Sequence, residues 1–358
     1  MAGGTTADQI SLLRLVAQRI AGPGLAGPTE AVRALAAMQA QDYPGVLTSV
    51  ALRTASRSRK EVVAALDAGE VVKSWPMRGT LHLVTARDLP WMLRLLAPRV
   101  LAGAAARRAR LDLDGATFER ARSLATGALA GGGRLRRDDL MAVWQEGGVE
   151  TAGQRGYHVL WHLAQTGTVC FGPVRDGEQS IVLVDEWITD QRRPDREEAL
   201  GELAERYFRG HGPATVKDFV RWTGLTARDA RTGLALARPR LARLDLDGVE
   251  YLLDPATPDL LAAHRSAARE VFLLPGFDEL VLGYADRTAT VPPAYADRIV
   301  PGGNGMFRPT VIAGGRAVGT WRHNGRGTKR TVTAEPFDTF PARVAQRIPA
   351  VYQALPLA

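Results

Sequence analysis

The chain has 358 residues, a hydrophobic fraction of 46% and a formal net charge of +8. Such a length predicts about two to four domains, and the hydrophobic fraction is ordinary for a globular protein with a substantial core. No apolar run reaches the length of a transmembrane helix, and the first eight residues lack the basic and apolar regions of a signal peptide. A single cysteine, Cys170, excludes intramolecular disulfides and multi-cysteine metal sites, so we expect a cytoplasmic protein.

Arginine carries nearly all of the positive charge, because the chain has only four lysines. A pI near 10.0 favours a polyanionic partner such as nucleic acid. An arginine bias together with abundant alanine and glycine also arises in GC-rich genomes, so charge alone leaves both explanations open. Three basic clusters stand out: Arg107, Arg108 and Arg110; Arg134, Arg136 and Arg137; and Arg322, Arg326, Lys329 and Arg330.

The first segment predicts three helices followed by two strands. An amphipathic helix is expected from Ile10 to Ile20, a second from Pro28 to Met38 and a third from Arg59 to Ala68. Strand-like runs follow at Val71 to Trp75 and Thr80 to Val84. Three helices followed by a two-stranded ribbon is the arrangement of a winged helix.

The same order of elements recurs twice further along the chain. The second set comprises helices at Ala116–Ala130, Arg137–Glu146 and Thr151–Gly167 and strands at Val169–Phe171 and Ser180–Val184 around the turn Arg175-Asp176-Gly177. The third set comprises helices at Arg196–Arg209, Val216–Trp222 and Ala227–Ala237 and strands at Leu241–Leu244 and Val249–Leu253. The dipeptide Asp247-Gly248 between the last two strands is a strong hairpin signal.

The pattern changes near Pro255, where glycine turns begin to separate short apolar runs. A helix is predicted from Pro258 to Ala268, and a terminal helix from Pro341 to Leu355. Strands are predicted at Val271–Leu274, Leu280–Tyr284, Thr310–Ile312 and Ala317–Trp321. Several short strands separated by glycine turns are typical of a small antiparallel sheet or barrel.

These predictions give an α+β fold of three tandem winged helices and a C-terminal small antiparallel β-barrel. The expected domains are residues 1–110, 111–195, 196–255 and 256–358, and the first contains the Gln39-Ala40-Gln41 stretch. An unrelated series of helices and hairpins is the alternative interpretation.

The motifs of several common enzyme classes are absent from the sequence. There is no phosphate-binding glycine loop with a following lysine, no dinucleotide fingerprint after a strand and no nucleophile elbow. These absences argue against an NTPase, a nicotinamide enzyme and a serine hydrolase. His158 and His162 lie four residues apart, but two histidines alone are a weak zinc signal. We therefore expect neither a metal nor another cofactor.

The stretch Gln39-Ala40-Gln41 follows the apolar run Ala31 to Met38 and precedes Pro44-Gly45, which we expect to stop regular structure. In an extended backbone the two amides point the same way, whereas in a helix they point apart. Taken alone, such a pair is most simply interpreted as two polar side chains at a helix end.

Five stretches suggest a more specific interpretation. They are Gln39-Ala40-Gln41-Asp42-Tyr43-Pro44, Met77-Arg78-Gly79-Thr80-Leu81-His82-Leu83, Gly210-His211-Gly212-Pro213-Ala214-Thr215 with Asp218-Phe219 and Trp222, Leu274-Pro275-Gly276-Phe277-Asp278-Glu279, and Gly319-Thr320-Trp321-Arg322. Together, and in this order, they resemble the tandem winged-helix DNA glycosylases of the AlkZ type. The resemblance spans nearly the whole chain and implies a C-shaped arrangement around duplex DNA. The family's Gln-apolar-Gln catalytic signature falls on Gln39 and Gln41, whereas a related subfamily has aspartate at the second position.

The chemistry of the amide pair can be considered separately from the family. Alkylation at N7 gives a purine a positive charge, so the base leaves readily and needs no general acid. What remains is to stabilise an oxocarbenium-like sugar and to position water at C1′, which neutral glutamine carbonyls do more weakly than a carboxylate. The pair therefore predicts selectivity for labile cationic lesions. Asp42 is either an electrostatic partner or a turn residue, and Asp278 is either electrostatic or a carboxylate held by arginines.

The expected partner is double-stranded DNA with alkylation damage, bound by a monomer. Candidate DNA-contacting residues are basic and lie near predicted hairpins or loops: Arg78, His82, Arg322, His323, Arg326, Lys329 and Arg330. A non-catalytic winged-helix transcription regulator is the main alternative, although regulators usually dimerise on two half-sites. A protein-binding helical scaffold is a third possibility and predicts no salt-dependent affinity for DNA.

Overall fold

A computed structural model describes residues 7–175, 178–325 and 330–357. The chain folds into two compact units. One unit contains the described residues up to Val62 and those from Leu200 onward, and the other contains Val63–Ala199. Among the described residues, no helix is long and apolar enough to cross a membrane.

The α-helices of the described residues, in chain order, are α1 (Ala7–Ala17), α2 (Pro28–Ala34), α3 (Tyr43–Leu52), α4 (Arg59–Asp67), α5 (Leu89–Gly103), α6 (Ala105–Arg110), α7 (Gly115–Leu129), α8 (Arg137–Glu146), α9 (Arg155–Gln165), α10 (Val184–Trp187), α11 (Arg196–His211), α12 (Val216–Thr223), α13 (Ala227–Ala237), α14 (Thr257–Ala268), α15 (Glu279–Leu282), α16 (Ala296–Ile299) and α17 (Ala342–Gln353). The strands are β1 (Met38–Gln39), β2 (Val71–Met77), β3 (Thr80–Thr85), β4 (Val169–Arg175), β5 (Glu178–Leu183), β6 (Ala242–Leu246), β7 (Val249–Leu253), β8 (Val271–Leu274), β9 (Thr310–Ala313), β10 (Arg316–Asn324) and β11 (Thr331–Pro336).

The Val63–Ala199 unit is built on two antiparallel hairpins joined edge to edge. Strands β3, β2, β4 and β5 are neighbours in that order, and Lys73 of β2 pairs with Phe171 of β4. Helices α7, α8 and α9 bury their apolar faces in one core with β2, β4 and β5, which includes Trp75, Phe118 and Trp144. The predicted helices and hairpins of this segment are confirmed, but the turn at Asp176-Gly177 lies outside the described residues.

The other unit is organised around an antiparallel sheet in the order β11-β10-β9-β8. Helices α1, α14 and α17 cover it, and their leucines and valines form a second core with the strands. The predicted small barrel is not confirmed, because the sheet formed by the described strands is open, with β8 and β11 at opposite edges.

The predicted strand at Leu280 to Tyr284 is wrong, since these residues follow a helix start. The Asp278 side chain caps helix α15 by accepting a hydrogen bond from the Leu280 backbone N–H at 3.0 Å. A capped first turn satisfies a backbone donor that would otherwise lack a partner, which favours helix over strand despite the apolar sequence.

The Asp247-Gly248 turn confirms the hairpin predicted between β6 and β7. Both residues have positive φ, 52° for Asp247 and 76° for Gly248, as a two-residue turn that matches the strand twist requires. The long helix α5 was not among the predicted elements, and it contains two prolines, Pro90 and Pro98. Pro90 lies in the first turn, where a missing N–H leaves no bond unmade.

The stretch around the two glutamines differs from its prediction in two ways. Helix α2 ends at Ala34 rather than Met38, and Ala36 then adopts a positive φ of 62°. Pro44 and Gly45 do not stop regular structure, because they lie in the first turn of α3. The Asp42 carboxylate caps this helix and accepts a hydrogen bond from the Gly45 N–H at 3.2 Å.

A buried ion pair connects α3 to the start of α15. Arg53 donates through both terminal nitrogens to Asp278, at 2.9 Å each, and the Ser49 hydroxyl donates to the same carboxylate at 2.7 Å. Burial alone would raise the pKa of Asp278, but the Arg53 charge and these hydrogen bonds outweigh it and lower that pKa below its usual value. The carboxylate therefore stays ionised and holds the two helices together.

We expect Asp278→Ala to lower the free energy of unfolding by about 3–5 kcal/mol, because it leaves a buried guanidinium without a counter-charge. The wild-type protein should also lose stability as the pH falls below the ordinary aspartate value of 3.8, and the variant should lack this contribution. Urea denaturation followed by circular dichroism measures both effects. As a control, Asp8→Ala removes the exposed partner of Arg316 and should cost less than about 1 kcal/mol. Equal losses in the two variants would contradict the role of the buried pair.

Candidate functional site

The Gln39–Asp42 segment joins an extended strand to a capped helix. Gln39 lies in β1 and is 8% exposed, Ala40 is buried, and Gln41 is exposed. The preceding helix ends well before Gln41, which is the backbone requirement for two amides two residues apart to share a side. Convergence of their side-chain ends remains a prediction.

A buried carboxylate fixes the backbone of this segment. Glu279, in the first turn of α15, is 0% exposed and accepts a hydrogen bond from the Gln39 backbone N–H at 3.0 Å. Its other oxygen accepts a hydrogen bond from the Trp222 indole at 2.9 Å and lies 3.3 Å from His211 Nε2. A buried charge is stable only when its oxygens are satisfied, so these contacts hold Gln39 at a defined position.

Aromatic and polar side chains continue the network around His211. Tyr207 stacks on the His211 ring with centroids 4.7 Å apart, and the Tyr284 hydroxyl donates to the His211 carbonyl at 2.7 Å. The Gln18 side-chain amide donates through Nε2 to the Tyr284 hydroxyl at 2.9 Å. Its Oε1 accepts a hydrogen bond from Arg53 at 2.7 Å. The network around Gln39 is thereby continuous with the buried Arg53 ion pair.

Asp42 interacts electrostatically with His323 and Arg59. Partial burial lowers the pKa of His323, the Arg330 charge lowers it further, and Asp42 opposes them. Burial likewise lowers the pKa of Arg59, as does Arg330, whereas Tyr43 and Asp42 act in the opposite direction. Asp42 and Arg330 thus both act electrostatically on His323 and on Arg59.

The remaining predicted DNA contacts have different surroundings. Arg322 is exposed and donates to Asn324 at 2.7 Å, but Arg326 and Lys329 lie outside the described residues. In the Val63–Ala199 unit, His82 is fully buried, with its Nδ1 2.8 Å from the Thr80 carbonyl. Its Nε2 lies 3.2 Å from Arg78 Nη2, so His82 positions Arg78 and is not exposed for direct contact with a phosphate.

The two aspartates predicted as possible electrostatic groups have structural partners. Asp42 caps α3, and Asp278 caps α15 and binds Arg53. The sequence interpretation missed Glu279, the neighbour of Asp278, although the residue lies in one of the five stretches that suggested the family. Trp222 and His211 also lie in those stretches, and their joint occurrence with Glu279 was the available signal for the contacts that these residues make.

Comparisons with known proteins agree with one another. The model of the family described as "DNA glycosylase AlkZ-like" matches residues 32–355. A curated relative from Streptomyces sahachiroi, named "Interstrand DNA cross-link repair glycosylase", is 28% identical over 306 residues, which cover 82% of this chain and 81% of the relative.

The fold is also shared with a solved structure. The Streptomyces sahachiroi DNA glycosylase AlkZ superposes with a TM-score of 0.81 at 24% identity, covering 99% of this chain and 97% of that one. The match to the family model over most of the chain shows that this protein belongs to the AlkZ-like DNA glycosylase family, whose members hydrolyse N-glycosidic bonds.

Proposed function

We propose that this chain is a monofunctional DNA glycosylase that excises N7-alkylated purines, both bulky adducts and interstrand crosslinks. Gln39 and Gln41 position the attacking water. The observation that carries this proposal is the position of Gln39 in the short strand β1, held from behind by the buried Glu279 carboxylate. The substrate named for the Streptomyces sahachiroi relative, crosslinked DNA, supports the same lesion class.

The protein contributes to this reaction mainly by positioning the water and stabilising the sugar. Water forms a bond to C1′, the C1′–N9 bond breaks, and its electron pair neutralises the cationic base. The water proton passes to solvent. Glutamine carbonyl oxygens accept hydrogen bonds from the water and present a partial negative charge to the oxocarbenium-like sugar. Two neutral amides give less stabilisation than a carboxylate, so an intact nucleotide with a poor leaving group is not hydrolysed.

The helices and hairpins support a proposal of three winged helices, in residues 1–110, 111–195 and 196–255, before the C-terminal domain 256–358. In the second set, Leu135 bonds to Ile181 of the hairpin, and in the third, Ala214 bonds to Leu252. A short bridge from the segment before the second helix to a hairpin strand is the third strand of a winged helix.

We propose that a monomer uses these modules on damaged duplex DNA in the cytoplasm.

Single substitutions of the two glutamines test the catalytic assignment. We expect Gln39→Ala and Gln41→Ala each to slow single-turnover release of 7-methylguanine by roughly 10²–10⁴-fold, because positioned groups of this kind contribute on that scale. Gln353→Ala, an exposed amide on the terminal helix, is the matched control and should keep the wild-type rate. Near-wild-type rates in both alanine variants, or efficient release of uracil by the wild type, would refute the proposal.

Glu279 is proposed as a positioning residue, and Glu279→Gln tests it. The variant keeps an acceptor for the Gln39 N–H but presents an amide donor toward Trp222. We expect kcat to fall about 10–100-fold, the scale seen when a group that orients a site residue is changed. KM for DNA should change little, because Glu279 is buried.

Trp222→Phe removes one donor and leaves the Glu279 charge in place, so it should lower kcat less than Glu279→Gln does. Circular dichroism corrects both rates for the folded fraction. A Glu279→Gln protein with wild-type kcat after this correction would show that the residue contributes only to stability.

Arg330→Gln tests the basic surface beside Asp42. Loss of one phosphate contact should weaken binding to duplex DNA regardless of sequence and make the slope of log affinity against log salt less steep by about one. Fluorescence anisotropy at several salt concentrations measures both quantities. Arg265→Gln, an exposed arginine of α14, serves as the control. An Arg330→Gln slope equal to those of the wild type and the control would contradict the contact.

A further inference from the structure

A groove opens directly beside the proposed water-binding segment. It has a volume of about 410 Å³ and includes Asp42, the residue that follows Gln41. The remainder of its lining is mainly apolar or aromatic and comes from two loops; it includes Gly276, Phe277, Met306 and Phe307, with Asn304 and Arg308 as its polar members. A volume of this size is within the range of sites that enclose small organic ligands.

One wall of the groove is held by close backbone packing. A Cβ atom on Gly276 would lie 2.6 Å from the Phe307 carbonyl oxygen, so only glycine fits between the two loops. Phe277 follows with a φ of 60°, an uncommon conformation for a large side chain, and its ring lies 6.0 Å from that of Phe307. The aromatic surface is therefore preformed.

Met306 lies at the exposed side of the same groove. Its side chain is 59% exposed, although large apolar residues are usually covered. A flexible thioether adapts to irregular apolar partners and makes favourable contacts with aromatic rings. An exposed methionine next to two phenylalanines is thus suited to a planar or apolar ligand of variable shape.

A second cavity lies against the same loop. It has a volume of about 520 Å³, shares Phe307 with the groove, and is lined further by Val281, Ile299 and Val300. The Arg287 guanidinium lies 5.0 Å from the Phe307 ring centre. Apolar surface thus continues on the other side of Phe307, together with the charged lining residues Arg221, Asp286 and Asp297.

We infer that the groove containing Asp42, Phe277, Met306 and Phe307 receives the substituent carried on N7 of the excised purine. This inference rests on the proposed function. A methyl group is too small to fill the groove, whereas an aromatic or extended apolar substituent buries surface against Met306 and the partly exposed Phe307 ring, which packs on the buried Phe277. The groove therefore determines which alkyl groups the enzyme prefers and does not take part in bond cleavage.

The ratio of two excision rates tests this inference. Single-turnover release is measured from duplexes that carry either N7-benzylguanine or 7-methylguanine. We expect Met306→Ser to lower the benzyl-to-methyl rate ratio about 3–10-fold, because an apolar contact to the substituent is lost. Met306→Asp should lower the ratio further, because a charge beside the apolar substituent would be desolvated.

Leu236→Ser is the matched control. Leu236 is a similarly exposed apolar residue, 42% exposed on α13, and its substitution should leave the ratio unchanged. If both Met306 variants keep the wild-type ratio while the wild type excises both lesions, the groove is not the substituent site and the proposed function stands. If the wild type excises neither lesion, the proposed function fails and the inference fails with it.

Discussion

The buried carboxylate of Glu279 is the constraint on which the candidate site depends. It lies away from water, so its oxygens need donors, and they find them in the Gln39 backbone and the Trp222 indole, with His211 within 3.3 Å. These groups come from β1, the C-terminal part of α11, and α12. Satisfying one buried charge thereby fixes the strand that carries the first of the two amides.

Around the Gln39–Asp42 segment, some charged groups are buried and others are near the surface. Glu279 and the Arg53–Asp278 pair are buried, whereas Gln41 is exposed, and the charges of Asp42 and Arg330 both act on Arg59. In the proposed reaction, neutral amides suit a substrate that already carries a positive charge on its leaving group. Cations on the adjoining surface suit the DNA backbone, because they neutralise the negative charges of its phosphates.

Local sequence signals predicted the elements that local interactions decide. The hairpin at Asp247-Gly248 depends on two adjacent residues that tolerate positive φ, and the amphipathic helices depend on their own periodicity. Signals failed where a cap or a distant partner decided the outcome. Leu280 to Tyr284 begins as helix because Asp278 caps it. The sheet of the described strands is open, and local signals could not predict this because strand pairing is a long-range property.

The sequence by itself determined the family, the candidate amides and most helices and hairpins, because residue identity, order and periodicity are properties of the chain. It did not reveal the role of Glu279. That carboxylate contacts Gln39 across 240 positions, and only packing brings the two residues together. Tertiary structure likewise distinguished Asp278 from its neighbour, since adjacent residues at a helix start point in different directions. It also assembled the groove beside Asp42 from loops that are distant in sequence.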